Sequence, residues 1–467
     1  MATVPAAVPS SVAALAAGFG GEVLTTADDS YDDRRRVWNG MIDRHPAIIA
    51  RCADAGDVAA AIRYAGEHDL QVAVRGGGHN VAGIAVNDGG LVIDLSPMRA
   101  VRMDHARGTV HVQGGATWGD VDRVTTPHGL ATPGGVVSET GVAGLALSGG
   151  VSRHRRLHGM TIDNLVSAEV VTADGRRLRA AADEHPDLYW ALRGGGGNFG
   201  VVTSFEFRLH PVGPDVYTVV VYYALEHSAA MFKAWRDAVA DAPDELTSEA
   251  FVWVLPDVPE LPEALRALPV CGISATYTGP VEEGERVSRA LRELAPPLLD
   301  MSGPMPFVDV QSSLDPFFPA GLRYYWKALY LDGFSDGVVD DMVDWSMRRP
   351  SLDSLVIVRH LGGAIARVGA DETAFGDRDS EFMLSIDATW RDAGGDDRNI
   401  AWTRDFWQAM RRYSAGKTYF NFPGLLEEGD AAIRDSYGAN HARLAAIKAA
   451  YDPENVFRGN QNIKPAS

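Results

Sequence analysis

A glycine-rich motif at residues 75–80, RGGGHN, places a reactive imidazole at the end of a flexible backbone segment. Three consecutive glycines allow successive backbone N–H groups to converge on one point, an arrangement that suits a diphosphate. The side chain of His79 would then lie beside the bound cofactor. A tight turn with an ordinary surface histidine is an equally good interpretation of this motif taken alone.

Two other segments are also rich in glycine. Residues 194–200, GGGGNFG, match the pattern G-x-G-x-x-G. They follow a predicted helix and precede a predicted strand, the reverse of the order in a Rossmann site, so we exclude nicotinamide binding by this loop. Residues 131–150 contain six glycines in a largely apolar run. This run predicts no stable helix; it favours backbone laid flat against a large planar group, with a buried loop-rich core segment as the alternative.

A polar run and a histidine pair complete the motifs. Residues 460–462, NQN, lie close to the end of the sequence, where chains normally fray, but flanking Phe457 and Ile463 predict that this segment is docked. His154 and His158 have a spacing that could suit a metal ion. Arginines surround them in residues 153–156, and no nearby carboxylate or cysteine completes a ligand set, so we predict no metal site.

The overall composition limits the classes of partner that the protein is expected to bind. The 467 residues include 43 Lys and Arg against 62 Asp and Glu, a net charge of −19. Nucleic acids and anionic membranes both need a basic face, so neither is an expected partner. Cys52 and Cys271 are too few for a disulfide scaffold or a multi-cysteine metal site. No apolar run is long enough to span a membrane, and the N-terminal segment lacks the basic residues expected at the start of a signal peptide. We expect a cytoplasmic monomer or homodimer acting on a small molecule.

Short strands alternate with helices and glycine turns up to about residue 212, which predicts an α+β arrangement rather than regular βαβ repeats. The first helix, at residues 10–19, is predicted to have Ser10 or Ser11 as its N-cap, and Asp54 or Asp57 is predicted to cap the next one.

Residues 213–423 have a different residue composition and pattern. Six extended segments rich in β-branched and aromatic residues are interrupted by helical stretches near 227–240 and 281–294. This pattern predicts one large antiparallel sheet with helices on one face. After about residue 423 the pattern is helical again.

Six segments occur in order across nearly the whole chain: VRGGGHN, QGG, ATPGGVV, DNLVSAEVVTADG, DLYWALRGGGGNFGVVT and YDPENVFRGNQNI. Together they make the chain resemble the FAD-linked oxidases of the berberine-bridge-enzyme type, within the vanillyl-alcohol-oxidase superfamily and its PCMH-type FAD-binding domain. Bacterial 6-hydroxynicotine oxidase and actinobacterial polyketide-tailoring flavoenzymes are the members that it looks most like.

The resemblance implies a two-part FAD-binding domain, residues 1–212 and 424–467, and a substrate-binding domain, residues 213–423. It implies that His79 bonds covalently to the flavin. Some members form a second bond through a cysteine, but here Val137 stands at that position, so the flavin would be singly attached. A nitrogen substituent withdraws electron density from the flavin and favours hydride acceptance.

The resemblance also places the other cofactor contacts. They would be Arg75, Gly76, Gly77, Gly78, Asn80, Gly83, Gly115, Pro133, Val137, Thr140, Gly141, Gly144, Asp163, Asn164, Val170, Gly200, Val202, Tyr419, Asn421, Asn460 and Asn462.

The candidate catalytic residues follow from the same resemblance. Tyr419, in a motif with Asn421, would be catalytic or orient the substrate, although a phenol with a pKa near 10 is a poor base. Thr140 would lie in the segment under the ring, where oxygen reacts. Arg359 and His360 are adjacent on one strand and so face opposite ways. Either His360 is the base or Arg359 holds an anionic or enolate oxygen.

The expected reaction is oxidation of an aromatic, polyketide-like or alkaloid substrate with O₂ as the acceptor. Four aromatic residues would line the substrate site: Phe251, Trp253, Tyr325 and Trp390. A flavin-dependent oxygenase or cyclase is one alternative. An electron-transfer dehydrogenase with a protein acceptor is another, since the acidic surface would suit a basic carrier.

Overall fold

The computed structural model describes residues 12–259, 261–427 and 429–466, and within these ranges the strands form four sheets. The first sheet has the order β1-β2-β4-β3, with β2 and β3 both parallel to β4. Its strands are β1 (Glu22–Leu24), β2 (Ile48–Arg51), β3 (Val72–Arg75) and β4 (Leu91–Asp94). The helices around it are α1 (Val12–Ala17), α2 (Tyr31–Arg35) and α3 (Ala55–Glu67).

The cap of α3 is Asp54, whose carboxylate accepts hydrogen bonds from two backbone N–H groups of the first turn. The carboxylate of Asp57, the other candidate, instead accepts from the backbone N–H groups of Gly20 and Gly21. The caps predicted for the first helix, Ser10 and Ser11, lie outside the described residues.

The second sheet is antiparallel, with the order β5-β6-β10-β8-β9. Its strands are β5 (Val101–Asp104), β6 (Thr109–Gln113), β8 (Leu165–Val171), β9 (Arg177–Ala181) and β10 (Val201–Arg208), while β7 (Leu130–Ala131) pairs separately with β11 (His210–Pro211). The helices are α4 (Trp118–Thr125), α5 (Val142–Leu147), α6 (Arg155–His158) and α7 (Pro186–Leu192). Residues 194–200 therefore connect a helix to a strand, as predicted.

The expectation that residues 131–150 form no helix is wrong, because α5 lies within them. Most of the glycines flank the helix, and Gly144 is the one inside Val142–Leu147. Val142 and Ala146 are buried in the core of the second sheet, and this burial offsets the weak helix propensity of Gly144.

The third sheet confirms the predicted antiparallel architecture and has eight strands. They are β12 (Asp215–Ala224), β13 (Leu246–Val254), β14 (Pro269–Tyr277), β15 (Pro297–Asp300), β16 (Gly303–Pro306), β17 (Arg323–Leu331), β18 (Leu355–His360) and β19 (Phe382–Trp390). All six predicted segments are present, whereas β15 and β16 were not predicted. The associated helices are α8 (Ser228–Val239), α9 (Val281–Arg292), α10 (Phe307–Ser312), α11 (Asp336–Met347) and α12 (Asp396–Met410).

Helices α8, α9, α11 and α12 cover one face of this sheet and bury its largest apolar cluster. Strand alternation sends the other set of side chains, such as Trp326 and Ile357, to the opposite face. That face turns towards the N-terminal half of the chain, where the indole N–H of Trp38 donates to the carbonyl of Phe318 at 2.9 Å.

The C-terminal segment is docked, as the sequence predicts. It contains α13 (Gly429–Tyr437) and α14 (Asn440–Tyr451). The side chain of Asn198 donates to the carbonyl of Gln461 at 3.1 Å and accepts from the N–H of Ile463 at 3.0 Å. Within the described ranges, no helix combines the length and apolar character needed to cross a membrane.

Candidate active site

A large cavity lies between the N-terminal half of the chain and the open face of the eight-stranded sheet. Its empty volume, open mouth included, is about 1900 Å³. The cavity is lined on one side by the glycine loop at 76–80, by residues of 135–151 and by the C-terminal segment. Strands β13, β18 and β19 and the segment 419–422 contribute the other side.

The glycine loop fits tightly against its neighbour. A Cβ atom on Gly77 would lie 2.5 Å from backbone atoms of Gly141, and Gly78 has a φ of +68°, a conformation that favours glycine. The loop therefore needs glycine to bring its backbone to the cavity wall.

The imidazole of His79 lies at the end of this loop, against the cavity. Its ring stacks on Trp38 with a centroid distance of 4.1 Å, and its buried Nε2 has no hydrogen-bond partner among the described residues. Burial lowers the pKa of His79 to about 4, which keeps the ring neutral. A neutral imidazole keeps one of its two ring nitrogens unprotonated, with a lone pair that can form a bond.

The N-terminal part of α5 presents backbone to the cavity. Thr140, Gly141 and Gly144 all line it. A Cβ atom on Gly144 would meet no other atom within 4 Å, so this face of the helix borders open space.

The predicted cofactor contacts divide into two groups. The residues that line the cavity are Gly76, Gly77, Gly78, His79, Asn80, Val137, Thr140, Gly141, Gly144, Gly200, Val202, Tyr419, Asn421 and Asn460. The cavity lining does not include Arg75, Gly83, Gly115, Pro133, Asp163, Asn164, Val170 or Asn462.

Several residues of the second group make contacts within the fold. The guanidinium of Arg75 is paired with the buried Asp94 at 2.6 Å, and Asp163 is paired with Arg378 at 2.8 Å. A Cβ atom on Gly115 would lie 1.8 Å from the carbonyl oxygen of Leu95, so this glycine permits close packing of two backbones.

The structure separates Arg359 from His360, as strand alternation requires. Arg359 lines the cavity. His360 lies on the opposite face of β18, where its ring stacks on Phe382 and its Nε2 is 3.1 Å from Nη1 of Arg156. Burial, helped by nearby arginines, lowers the pKa of His360 to about 3. The hypothesis that His360 is the base therefore fails on position.

Two acidic residues on the cavity wall were missed from the sequence. Glu249 lies directly across the ladder from Arg359, with its Oε2 3.7 Å from Nε of Arg359. Asp387, on β19, is buried, and desolvation raises its pKa to about 6 despite the nearby Arg359. The signal was available, because each acid interrupts an otherwise buried strand, and buried acids are rare unless paired.

Tyr419 and Asn421 line the cavity beside α5. The Tyr419 hydroxyl accepts hydrogen bonds from the backbone N–H of Gly150 at 3.0 Å and from the side-chain amide of Asn421 at 2.8 Å. Burial raises the pKa of Tyr419. Because its oxygen already accepts twice, the hydroxyl proton is free to be donated, and Tyr419 suits hydrogen-bond donation rather than proton abstraction.

Two predicted substrate aromatics lie on the wrong face of the sheet. Tyr325 and Trp390 belong to the cluster under the helices, and Trp390 donates to Asp396 there at 2.8 Å. Alternation along β17 instead places Trp326 on the cavity.

The other two predicted aromatics are on the cavity side of the sheet but behind its lining. Phe251 and Trp253 pack in one cluster with Trp326, and Trp253 stacks on Phe318 with a centroid distance of 6.0 Å. Phe318, Trp326 and Phe422 are among the aromatic residues that do line the cavity.

His154 and His158 pack edge to face at 5.6 Å, and His158 stacks on His210 at 3.9 Å. No group of three His, Cys, Asp or Glu side chains in the described part of the chain is arranged to hold a metal ion.

Comparison with known proteins gives a consistent result. Residues 46–181 match a family model described as an FAD binding domain, and residues 418–464 match one described as berberine and berberine-like. The (R)-6-hydroxynicotine oxidase of Paenarthrobacter nicotinovorans is 31% identical over 475 residues, covering 95% of this chain and 97% of the relative.

Solved structures agree with this match. The crystal structure of 6-hydroxy-D-nicotine oxidase from Arthrobacter nicotinovorans has a TM-score of 0.86 at 28% identity, covering 96% of this chain and 99% of the other. A berberine-bridge-enzyme-like protein of the moss Physcomitrella patens has a TM-score of 0.87 at 23% identity, covering 98% and 100% of the two chains, which shows a shared fold.

Proposed function

We propose that this chain, which belongs to the berberine-like family of FAD-linked oxidoreductases, oxidises a small aromatic, polyketide-like or alkaloid molecule with O₂ as the electron acceptor. One observation carries the proposal. His79 lies on a glycine-lined cavity with a neutral ring whose buried Nε2 has no hydrogen-bond partner among the described residues, and the opposite wall of the cavity carries Arg359 and Asp387.

The cavity residues fit FAD. In this proposal the backbone of residues 76–80 and the open face at Gly144 receive the cofactor, and Nε2 of His79 holds it through a single covalent bond. Val137 supplies no second bond, because its side chain is not nucleophilic. When bound, FAD accepts a hydride from the substrate and later passes the electrons to O₂.

The sheet wall supplies acid–base chemistry in this proposal. Asp387, with a pKa of about 6, is largely ionised at neutral pH and can take a proton from a substrate O–H or N–H. Tyr419 donates a hydrogen bond to the substrate and so orients it. Phe318, Trp326 and Phe422 exclude water and offer flat surfaces for an aromatic ring.

The proposed division of the chain follows the cavity walls. Residues 1–212 and 424–467 form the FAD-binding domain, and residues 213–423 form the substrate-binding domain that covers it. We place the reaction in the cytoplasm and in specialised metabolism, with a monomer or homodimer as the working unit. Both cysteines are free, buried thiols, which suits a reducing compartment.

The test of the cofactor proposal is flavin fluorescence on the acid-denatured chain. Fluorescence that stays with the wild type and with the exposed-site control His105→Ala, but leaves with His79→Ala, is the expected result. A wild-type protein that releases all its flavin on denaturation would overturn the covalent bond. A colourless protein that cannot be reconstituted with FAD would overturn the proposal as a whole.

The reaction class is tested on the products. An oxidase forms one hydrogen peroxide for each substrate that loses two hydrogens. A product that gains an oxygen atom would instead identify an oxygenase. Rapid reduction with very slow reoxidation by air would identify a dehydrogenase with another acceptor.

A further inference from the structure

The guanidinium group of Arg359 is a buried cation on the cavity wall with incomplete pairing. We infer that the substrate carries an acidic oxygen, in a carboxylate or in an acidic enol or phenol, and that Arg359 receives it. This inference rests on the proposed function only in taking the cavity to be the substrate site.

The contacts of Arg359 leave donors unused. Its Nη1 is buried and has no hydrogen-bond partner among the described residues. Its Nε is 3.7 Å from Glu249, longer than a hydrogen bond, and its guanidinium lies 5.5 Å from the ring centre of Phe422. Only 8% of the residue is exposed, so water does not satisfy it as it would on a surface.

The basic run at 153–156 lies behind this wall and adds to its positive charge. Arg155 is fixed by hydrogen bonds to three backbone carbonyls and is 3.7 Å from Glu249. Arg153 is buried as well, and its Nε has no partner in the described ranges. Burial lowers the pKa of both arginines.

Arg155 and Arg359 therefore share one carboxylate, that of Glu249. Among the described residues, Glu249 is the acid within 4 Å of Arg155 and Arg359, and Arg153 has no ion pair at that distance. Asp387 and Asp315 act on these arginines from farther away, and Asp315 is already engaged by the side chain and the backbone N–H of Ser138.

An oxyanion in the cavity would complete this arrangement. Buried charges persist in proteins when they are paired and hydrogen-bonded. A guanidinium presents several N–H donors in one plane, which match the two oxygens of a carboxylate or the single oxygen of an enolate. A neutral substrate would leave Arg359 with its donors unpaired and would bury it further.

The test measures binding of small probes to the flavin-containing protein by isothermal titration calorimetry. Benzoate is compared with benzamide, its neutral isostere, and 4-nitrophenol with nitrobenzene. We expect at least one acidic probe to bind about tenfold or more tightly than its neutral partner. In Arg359→Gln, affinity for the acidic probe should fall about 10- to 100-fold, the range for a lost charge-assisted hydrogen bond, with little change for the neutral probe.

Three variants sharpen the result. Glu249→Gln removes the competing carboxylate and should tighten binding of the acidic probe. Arg359→Lys keeps the charge and should retain part of the affinity, even if Arg359→Gln folds poorly. Arg367→Gln removes an exposed arginine, 61% of whose side chain is accessible, and should change nothing.

The outcomes are distinct. Discrimination with benzoate indicates a carboxylate substrate, and discrimination with 4-nitrophenol alone indicates an enol or phenol. Equal binding of acidic and neutral probes, an equal loss of both in Arg359→Gln, or no binding of either acid overturns the inference. The visible flavin spectrum of each sample tests the proposed function separately. A sample without bound flavin contradicts the proposed function, whereas the probe titration tests only whether Arg359 binds an acidic oxygen.

Discussion

Replacing Lys448 with methionine is expected to lower the melting temperature of the flavin-containing protein by about 3–5 °C or more. The ammonium group of Lys448 is fully buried and donates to the carbonyls of Asn198 and Phe457 at 2.7 and 2.9 Å and to the carboxylate of Asp452 at 2.6 Å. These bonds join α14 to the loop after α7 and to the C-terminal segment that lines the cavity.

The magnitude follows from what methionine leaves behind. Removing one partner of a buried ion pair costs about 3–5 kcal/mol, because the other charge stays buried. At about 2.1 cal/mol/K per residue, the 467 residues have an unfolding entropy of about 1 kcal/mol/K. The shift is therefore about 1 °C per kcal/mol if the chain unfolds as one unit, and larger if the FAD-binding part unfolds first.

The assay is thermal unfolding followed by both protein and flavin fluorescence. Lys464→Met is the matched control, because Lys464 is exposed and its pair with Asp430 contributes little. Combining Lys448→Met with Asp452→Asn should recover part of the loss, since the amide leaves no buried charge and its oxygen can still accept from the backbone N–H groups of Val456 and Phe457 that the carboxylate serves. A Lys448→Met protein that melts within about 1 °C of the wild type would refute the reasoning.

Other perturbations address the cavity and the pH response. Gly144→Leu should abolish FAD retention with the fold intact, because the leucine side chain enters the open cavity. Gly77→Ala should instead destabilise the fold, because the new Cβ atom clashes with backbone. Circular dichroism reports the fold and bound flavin reports retention, and a Gly144→Leu protein that keeps its flavin would contradict the proposed placement of FAD. Asp387→Asn should slow the reduction of the flavin by substrate about 10²–10⁴-fold. It should also remove the fall in rate that is expected below pH 6, where Asp387 becomes protonated. An unchanged pH profile in stopped-flow measurements would exclude Asp387 as the base. Burial lowers the pKa values of His158 and His210 to about 4. The stability that they contribute as neutral rings is therefore present above pH 6.5 and is lost as pH falls towards 4. Denaturant unfolding at pH 7 and 4.5 should show a smaller loss of stability in His158→Gln than in the wild type.

Local patterns predicted much of the architecture. The alternation and β-branched content of the segments after residue 213 were enough to predict one antiparallel sheet, because a half-buried strand needs that pattern wherever it lies. The helix within residues 131–150 was missed, since propensity ignores the apolar contacts that stabilise α5.

Local patterns likewise predicted only part of the candidate site. Alternation established that Arg359 and His360 face opposite ways, but it did not establish which faces the cavity. The same uncertainty led to Tyr325 and Trp390 being predicted as substrate contacts, although the helices cover that side of the sheet. Which face is covered depends on where the helices pack.

The sequence by itself determined the family, the glycine loop that ends at His79, most strands of the large sheet and the docked C-terminus, because each is carried by motifs or patterns whose residues lie close together in the chain. The tertiary structure decided that Glu249, Arg359 and Asp387 meet on one wall, and that the arginines of residues 153–156 are buried behind it. Those contacts depend on the register of strands that are distant in sequence, and register is set by the packing of the whole sheet.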